Sequence, residues 1–283
     1  IEGVIFCTLA DMMRVPGSKG SLAQLRAGGA DIRALYSPLD VISIAQENPD
    51  KKVVFFAIGF ETTTPMSAVV VEQAINLGLK NLFVHINHVT VPAPVRAIMS
   101  DKDVKIDAFL GPSHVSVITG SAIYEELADE FGTPIAVSGF EPLDLMDSIL
   151  NLVNQHENGT HKVYNEYARV VSNQGNLKAK ELINKYLEPC DFEWRGLGVI
   201  PMSGMKLRDE FGMFDARKHF NVEVGESKES KACICGEILR GKAKPYDCKV
   251  FGKVCNPQNP IGSCMVSGEG ACAAYYKYSK REI

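Results

Sequence analysis

Six short apolar, mostly β-branched runs set what this chain can fold into: Val4–Cys7, Ile32–Tyr36, Val53–Ile58, Asn81–Ile86, Ala108–Leu110 and Pro134–Val137. Continuous apolar runs of this length suit strands covered on both faces, as in a parallel sheet flanked by helices. Each run leads through a polar or glycine-bearing turn into a stretch long enough for a crossover helix. Gly28-Gly29, Gly78 and Gly132 fall where those helices should stop. The first half of the chain therefore reads as α/β.

Two of the units look like copies. Val53–Ile58 leads into Gly59-Phe60-Glu61-Thr62-Thr63, and Pro134–Val137 leads into Ser138-Gly139-Phe140-Glu141-Pro142. In both, Gly and Glu follow the carboxyl end of a strand, the edge at which open parallel sheets bind ligands. The plainer reading makes Gly59 and Gly139 tight turns and the glutamates helix caps. Further on, Ala179, Leu182, Ile183 and Tyr186 recur at helical spacing, with Pro189 expected to end that helix and Leu197–Ile200 to form another strand. His85 is expected to face the core. Cys7 and Cys190 read as small buried hydrophobes.

The 283 residues are 46% hydrophobic, enough for real cores, and the net charge of −4 offers none of the basic excess that general nucleic-acid binding needs. No apolar run approaches the roughly 20 residues of a spanning helix. No secretory signal precedes Ile1, so a cytoplasmic protein with no nucleic-acid or membrane partner is expected.

Cysteine is distributed unevenly. Of eight cysteines, six (Cys233, Cys235, Cys248, Cys255, Cys264 and Cys272) lie beyond a polar stretch, Glu223–Lys231, that reads as a linker. The segment that carries them is rich in glycine and proline, has little helical period before Ala271, and needs a staple to hold it. Disulfides suit such a count only in a secreted context. Zinc usually comes with Cys-x2-Cys knuckles, and here the gaps open with Cys233-x-Cys235. A [4Fe–4S] cluster tolerates longer loops between its thiolates. All three chemistries remain open on spacing alone.

The residues resemble one family. Cys233-Ile-Cys-Gly-Glu-Ile-Leu-Arg-Gly, Pro245 with Cys248, Phe251-Gly with Cys255, Pro260-x-Gly-x-Cys264 and Glu269-Gly-Ala-Cys272 are similar to the C-terminal part of the HypD hydrogenase maturation factors. The likeness continues through Asp11-Met-Met-Arg-Val-Pro-Gly-Ser18, Tyr36-Ser-Pro-Leu-Asp40, His114-Val115, Gly139-Phe-Glu-Pro-Leu-Asp144 and Arg195-Gly-Leu-Gly-Val-Ile-Pro201, and covers essentially the whole chain.

What this resemblance implies is specific. The family spaces its cluster cysteines by fourteen, six and sixteen residues, which here selects Cys233, Cys248, Cys255 and Cys272 as [4Fe–4S] ligands and leaves Cys235 and Cys264 outside the set. Cys235 in place of Cys233 is the alternative. The family's role is that of a redox-active scaffold, not a conventional turnover enzyme. It assembles the Fe(CN)2CO group of [NiFe]-hydrogenases with a HypC-type chaperone and a HypE-type cyanide donor, and holds that iron transiently. Asp11, His114 and Glu269 occupy motif positions expected to face the iron-holding thiol and to position it or move protons. Glu61 and Glu141 are weaker candidates. The family's Cys-Gly-Gly-His-Thr-His and Gly-Pro-Gly-Cys-Pro-x-Cys motifs do not occur, so the chain as given is expected to lack an N-terminal region that carries the iron-binding and dithiol segments.

The expected architecture is two similar parallel-sheet α/β lobes followed by a cysteine-rich iron–sulfur module. Residues 1–50 form the remainder of the first lobe, 51–160 the second, 161–225 a segment completing both, and 226–283 the module. The competing reading is a protein-binding module that a structural cluster or zinc merely stabilises. A phosphate-binding enzyme is disfavoured by the absence of a Gly-x-Gly-x-x-Gly or phosphate-loop motif.

Overall fold

The computed structural model describes residues 2–17, 20–194, 197–222 and 230–279. Ser18 and Arg195-Gly196 of the motifs above, and most of the linker, lie outside the described residues.

The fold is α/β with parallel sheets. Strands β1 (Val4–Leu9), β2 (Ile32–Leu35), β3 (Lys52–Gly59) and β4 (Leu82–His88) form one sheet in the order β2-β1-β3-β4, all pairs parallel. Helices α1 (Leu22–Ala27), α2 (Asp40–Glu47) and α3 (Thr64–Asn76) connect them. Val53, Phe55 and Ala57 pack with Val41 and Ala45 of α2 and with Ala68, Val71 and Ala74 of α3, so one face of each helix supplies the core. β3 and β4, which the division at residue 51 assigned to a second lobe, thus belong to one sheet with β1 and β2, β3 pairing with β1. Their register leaves no choice, since Val53 opposes both Ile5 and Leu82.

Helix α4 (Pro92–Met99) leads to the second sheet, β5 (Phe109–Gly111), β6 (Ile135–Val137) and β7 (Val163–Asn165), again parallel and in that order. Between its strands run α5 (Ser113–Thr119), α6 (Glu125–Phe131) and α7 (Pro142–Glu157). Gly132 closes α6 with φ of 58°, the left-handed stop that glycine accepts without strain. β7, Val163-Tyr164-Asn165, is only half-buried and has no continuous apolar run to announce it.

The chain then returns to the first lobe. Helix α8 (Leu177–Tyr186) lies against α3, where Lys185 and Tyr186 both meet Glu72 at 3.1 Å. An antiparallel hairpin follows, β8 (Leu187–Trp194) with β9 (Gly198–Leu207). The helix ends at Tyr186, before Pro189, which instead opposes Met205 inside the hairpin. A two-stranded ribbon has only edge strands, so an imine that cannot donate does no harm there. The hairpin is seated by Thr90 N–H on the Ser203 carbonyl at 2.9 Å. Leu187, Met205, Leu207 and Phe214 complete the first core, and a one-turn helix, α9 (Ala216–His219), covers the opposite face of that sheet beside Val54 and Phe83.

Of the two histidines of β4, it is His88 and not His85 that is fully buried. His85 is half-buried against Phe56, with ring centroids 5.1 Å apart, whereas His88 is wholly buried with Nε2 2.8 Å from Ser67 Oγ. At this strand end His88 lies under α3, where Ser67 is available to it.

Candidate functional site

Residues 230–279 build a separate buried cluster. It comprises α10 (Cys235–Leu239), two 3-10 turns (Pro245–Asp247 and Ser263–Met265) and α11 (Ala271–Tyr278). Cys235, Cys248, Cys255, Cys264 and Cys272 are buried together with Phe251, Met265 and Ala273, and Cys233 packs at the margin. All six are free thiols. Turns, not long elements, deliver the sulfurs. Cys235 opens α10, Cys248 follows the first 3-10 turn, Cys264 sits in the second, and Cys272 is in the first turn of α11.

Backbone approaches the sulfurs closely. Ile261 N–H donates to Cys255 Sγ at 3.4 Å, and the Cys248 thiol reaches the Ala232 carbonyl at 3.7 Å. Gly262 lies so near Cys233 Sγ that a side chain there would displace the sulfur, and Gly270 is pressed in the same way on the Cys264 backbone. These glycines are therefore fixed by packing.

The four cysteines selected by spacing share this cluster, and the other two are inside it as well. Cys264 Sγ stands 3.0 Å from Cys272 Sγ. Cys235 hydrogen-bonds with Cys264, an interaction that with burial pushes the Cys235 thiol up, and it also lies 3.4 Å from Ser263 Oγ. Sequence spacing does not reveal that contact, because the two cysteines are 29 positions apart. Among the described residues no three His, Cys, Asp or Glu side chains are arranged to hold a single metal ion. The donor set nonetheless suits an iron–sulfur cubane. Soft thiols lie in an apolar pocket with a backbone donor on one sulfur, and in a cubane each thiolate meets its own iron, so the sulfurs need not converge on one point.

The polar candidates lie on separate loops. Asp11 follows β1 in a 3-10 turn, is exposed, and has Arg14 3.7 Å away. It sits at the carboxyl edge between β1 and β3, where the strand order of the first sheet reverses and an open sheet forms its crevice. Glu61 follows β3 at the same edge and is buried. One carboxylate oxygen accepts the Val91 N–H at 2.9 Å, the other has no partner, and burial raises its pKa.

His114, exposed at the start of α5, stacks on Phe140 with centroids 4.5 Å apart. Phe140 in turn meets the edge of Tyr167, whose face carries the Arg169 guanidinium. Arg169 pairs with Asp144, and Glu166 accepts the Gly139 N–H at 2.9 Å, so the three loops past β5, β6 and β7 form one network. Glu141 is exposed and caps α7 in a reciprocal box with Asp144, the plainer of its two readings. The two Gly-Phe-Glu turns therefore do different jobs. Glu269 is exposed on the loop before α11. No hydrogen bond, ion pair or ring contact joins Asp11, His114 and Glu269 among the described residues. Cys7 is a core side chain whose thiol burial pushes up to about 12.

A parallel-sheet α/β body that carries six free thiols gathered in one apolar cluster defines a thiol-rich α/β protein. Comparison with known proteins then places the chain in the HypD family of hydrogenase maturation factors, to which it belongs. The family model described as "Hydrogenase formation hypA family" matches residues 1–279. The chain is 50% identical to the hydrogenase maturation factor HypD of Azotobacter vinelandii over 99% of its own length and 76% of that protein's. It is 50% identical to HypD2 of Bradyrhizobium diazoefficiens over 98% and 75%, and 46% identical to HypD of Escherichia coli K12 over 99% and 75%. Among the described residues no helix is long and apolar enough to cross a membrane.

Proposed function

We propose that this chain acts in the cytoplasm as a redox-active scaffold for assembly of the Fe(CN)2CO group of [NiFe]-hydrogenases, and that Cys233, Cys248, Cys255 and Cys272 hold one [4Fe–4S] cluster. The observation that carries the reading is the gathering of the four thiols in one sulfur-rich pocket on glycine-tight loops, with Cys248, Cys255 and Cys272 buried and Cys233 partly buried at the margin. Such a cluster, when bound, supplies single electrons. The chain's own residues shield it: Phe251, Met265 and Ala273 keep water from the sulfurs. Cys235 and Cys264, outside the ligand set, lie in the same pocket beside it. Asp11 and Glu61 at the edge of the first sheet, and His114 at that of the second, are placed to orient an incoming group or move protons.

Protein purified without oxygen should be brown, bleach on reduction, and contain about four irons per chain. Zinc in place of iron, or no metal in protein prepared this way, would remove the basis of the reading.

The scaffold role also calls for docking of the HypC-type chaperone and the HypE-type cyanide donor. Helix α7 supports this. Leu143, Met146, Leu150 and Val153 line one exposed face at three- and four-residue spacing, an apolar stripe of the kind that protein partners cover. Leu150→Asp is expected to weaken co-purification of the chaperone by at least about tenfold, the worth of one lost apolar anchor, with the iron content unchanged. Equal recovery of the complex would move the docking face elsewhere.

A further inference from the structure

The loop between Cys235 and Cys248 is tied to the turn that follows α4. Asp101 accepts hydrogen bonds from Lys242 Nζ on both carboxylate oxygens, each at 2.9 Å, and its Oδ2 lies 3.0 Å from Arg240 Nε. Beside this charge cluster the Lys105 N–H donates to the Arg240 carbonyl at 3.1 Å. Gly241, at φ of 71°, lies so close to the Lys105 carbonyl that any side chain would collide with it. Arg240 also reaches Glu237 of α10, at 3.6 Å. Exposed surface ion pairs contribute little because water and salt screen them. Here the side chains of Lys242, Arg240 and Asp101 keep only 20, 23 and 25% of their exposure. One carboxylate joins two partly buried cations, and its loss would leave them only their longer contacts, Lys242 with Asp103 at 3.8 Å and Arg240 with Glu237 at 3.6 Å.

We propose that Asp101 is a positioning residue for the thiol-bearing segment: through Arg240 and Lys242 it holds the loop between Cys235 and Cys248 against the second lobe, and with it the placement of those two sulfurs. Retention of the loop against the lobe needs no metal. Only the consequence for bound iron rests on the iron–sulfur reading above.

The test compares the parent chain with Asp101→Asn, with Asp101→Lys, and with Asp101→Lys combined with Lys242→Asp. Hydrogen exchange on the metal-free chain is expected to quicken by about tenfold or more at the Lys105 amide and across residues 239–248 in Asp101→Asn, in keeping with the loss of a charged hydrogen-bond pair. Asp101→Lys should be worse, the reversed pair should recover most of the protection, and β3 and β4 should not change. In iron-loaded protein, release of iron to a chelator should quicken in the same order. Unchanged exchange in Asp101→Asn, or no recovery in the reversed pair, would overturn the retention of the loop. Faster exchange with unchanged iron release would overturn the claim on the sulfurs. A parent chain that takes up no iron would instead count against the iron–sulfur reading, with the exchange result still deciding the latch.

Discussion

Cys248→Ala and Cys255→Ala, purified without oxygen, are expected to retain essentially no iron, against about four per chain in the parent. Removing one thiolate opens a corner of the cubane to water. Neither position has a substitute at hand: Cys248 is fixed by the turn Pro245–Asp247, and Cys255 by the Ile261 N–H on its sulfur. Cys264→Ser is expected to keep its iron, because Cys264 is a neighbour of Cys272 and not a member of the spaced set. Cys233 and Cys235 provide the discriminating comparison, since both back onto Gly262. Loss of iron in Cys233→Ala with retention in Cys235→Ala supports the proposed set. The reverse result would exchange the two, and retention in Cys248→Ala or Cys255→Ala would remove the set altogether.

Acidification is expected to destabilise the first lobe through His88. Its ring is fully buried, and burial lowers its pKa from the ordinary 6.5 to about 4. Below pH 6.5 the unfolded chain takes up a proton that the folded chain refuses, so stability falls as the pH drops and levels off below about 4. Across that window the loss is about 3 kcal/mol, from about 1.4 kcal/mol per unit. His88→Gln keeps a polar group for Ser67 and removes the titration. In urea unfolding of metal-free protein at several pH values, the parent's advantage over this variant should shrink by that amount between pH 7 and pH 4. Parallel curves would show that His88 accepts its proton without unfolding.

Much of the fold was legible because the physics involved is local. The runs around Val4, Ile32, Val53, Asn81, Phe109 and Ile135 are strands because each is apolar on both sides and ends at a turn. The first strand of the hairpin escaped because Pro189 reads as a stop signal, whereas the alternation of Leu187 to Trp194 is the better guide in a half-exposed ribbon; the second was expected from Leu197–Ile200 but runs on to Leu207. Sheet membership could not be read locally either. Val53 seeks any parallel neighbour, and only tertiary register shows that it has Ile5 on one side and Leu82 on the other. In the thiol cluster, the family resemblance implies four cysteines as ligands but is blind to the meeting of Cys235 with Cys264. The role of Asp101 depends on partners far along the chain, Arg240 and Lys242, and nothing in its immediate neighbours announces it.

The chain's return to its first core has a consequence for biosynthesis. Tyr186, Leu187, Met205, Leu207 and Phe214 fill the space beside α3 and β4, yet all leave the ribosome after the entire second sheet has been made. The lobe that begins first is therefore the one that finishes last. Until Phe214 has emerged, a nascent chain holds an open apolar surface while a completed neighbour waits beside it. A chain ending between residues 176 and 185 and released from the ribosome should carry a protease-resistant second lobe and a still-sensitive first one.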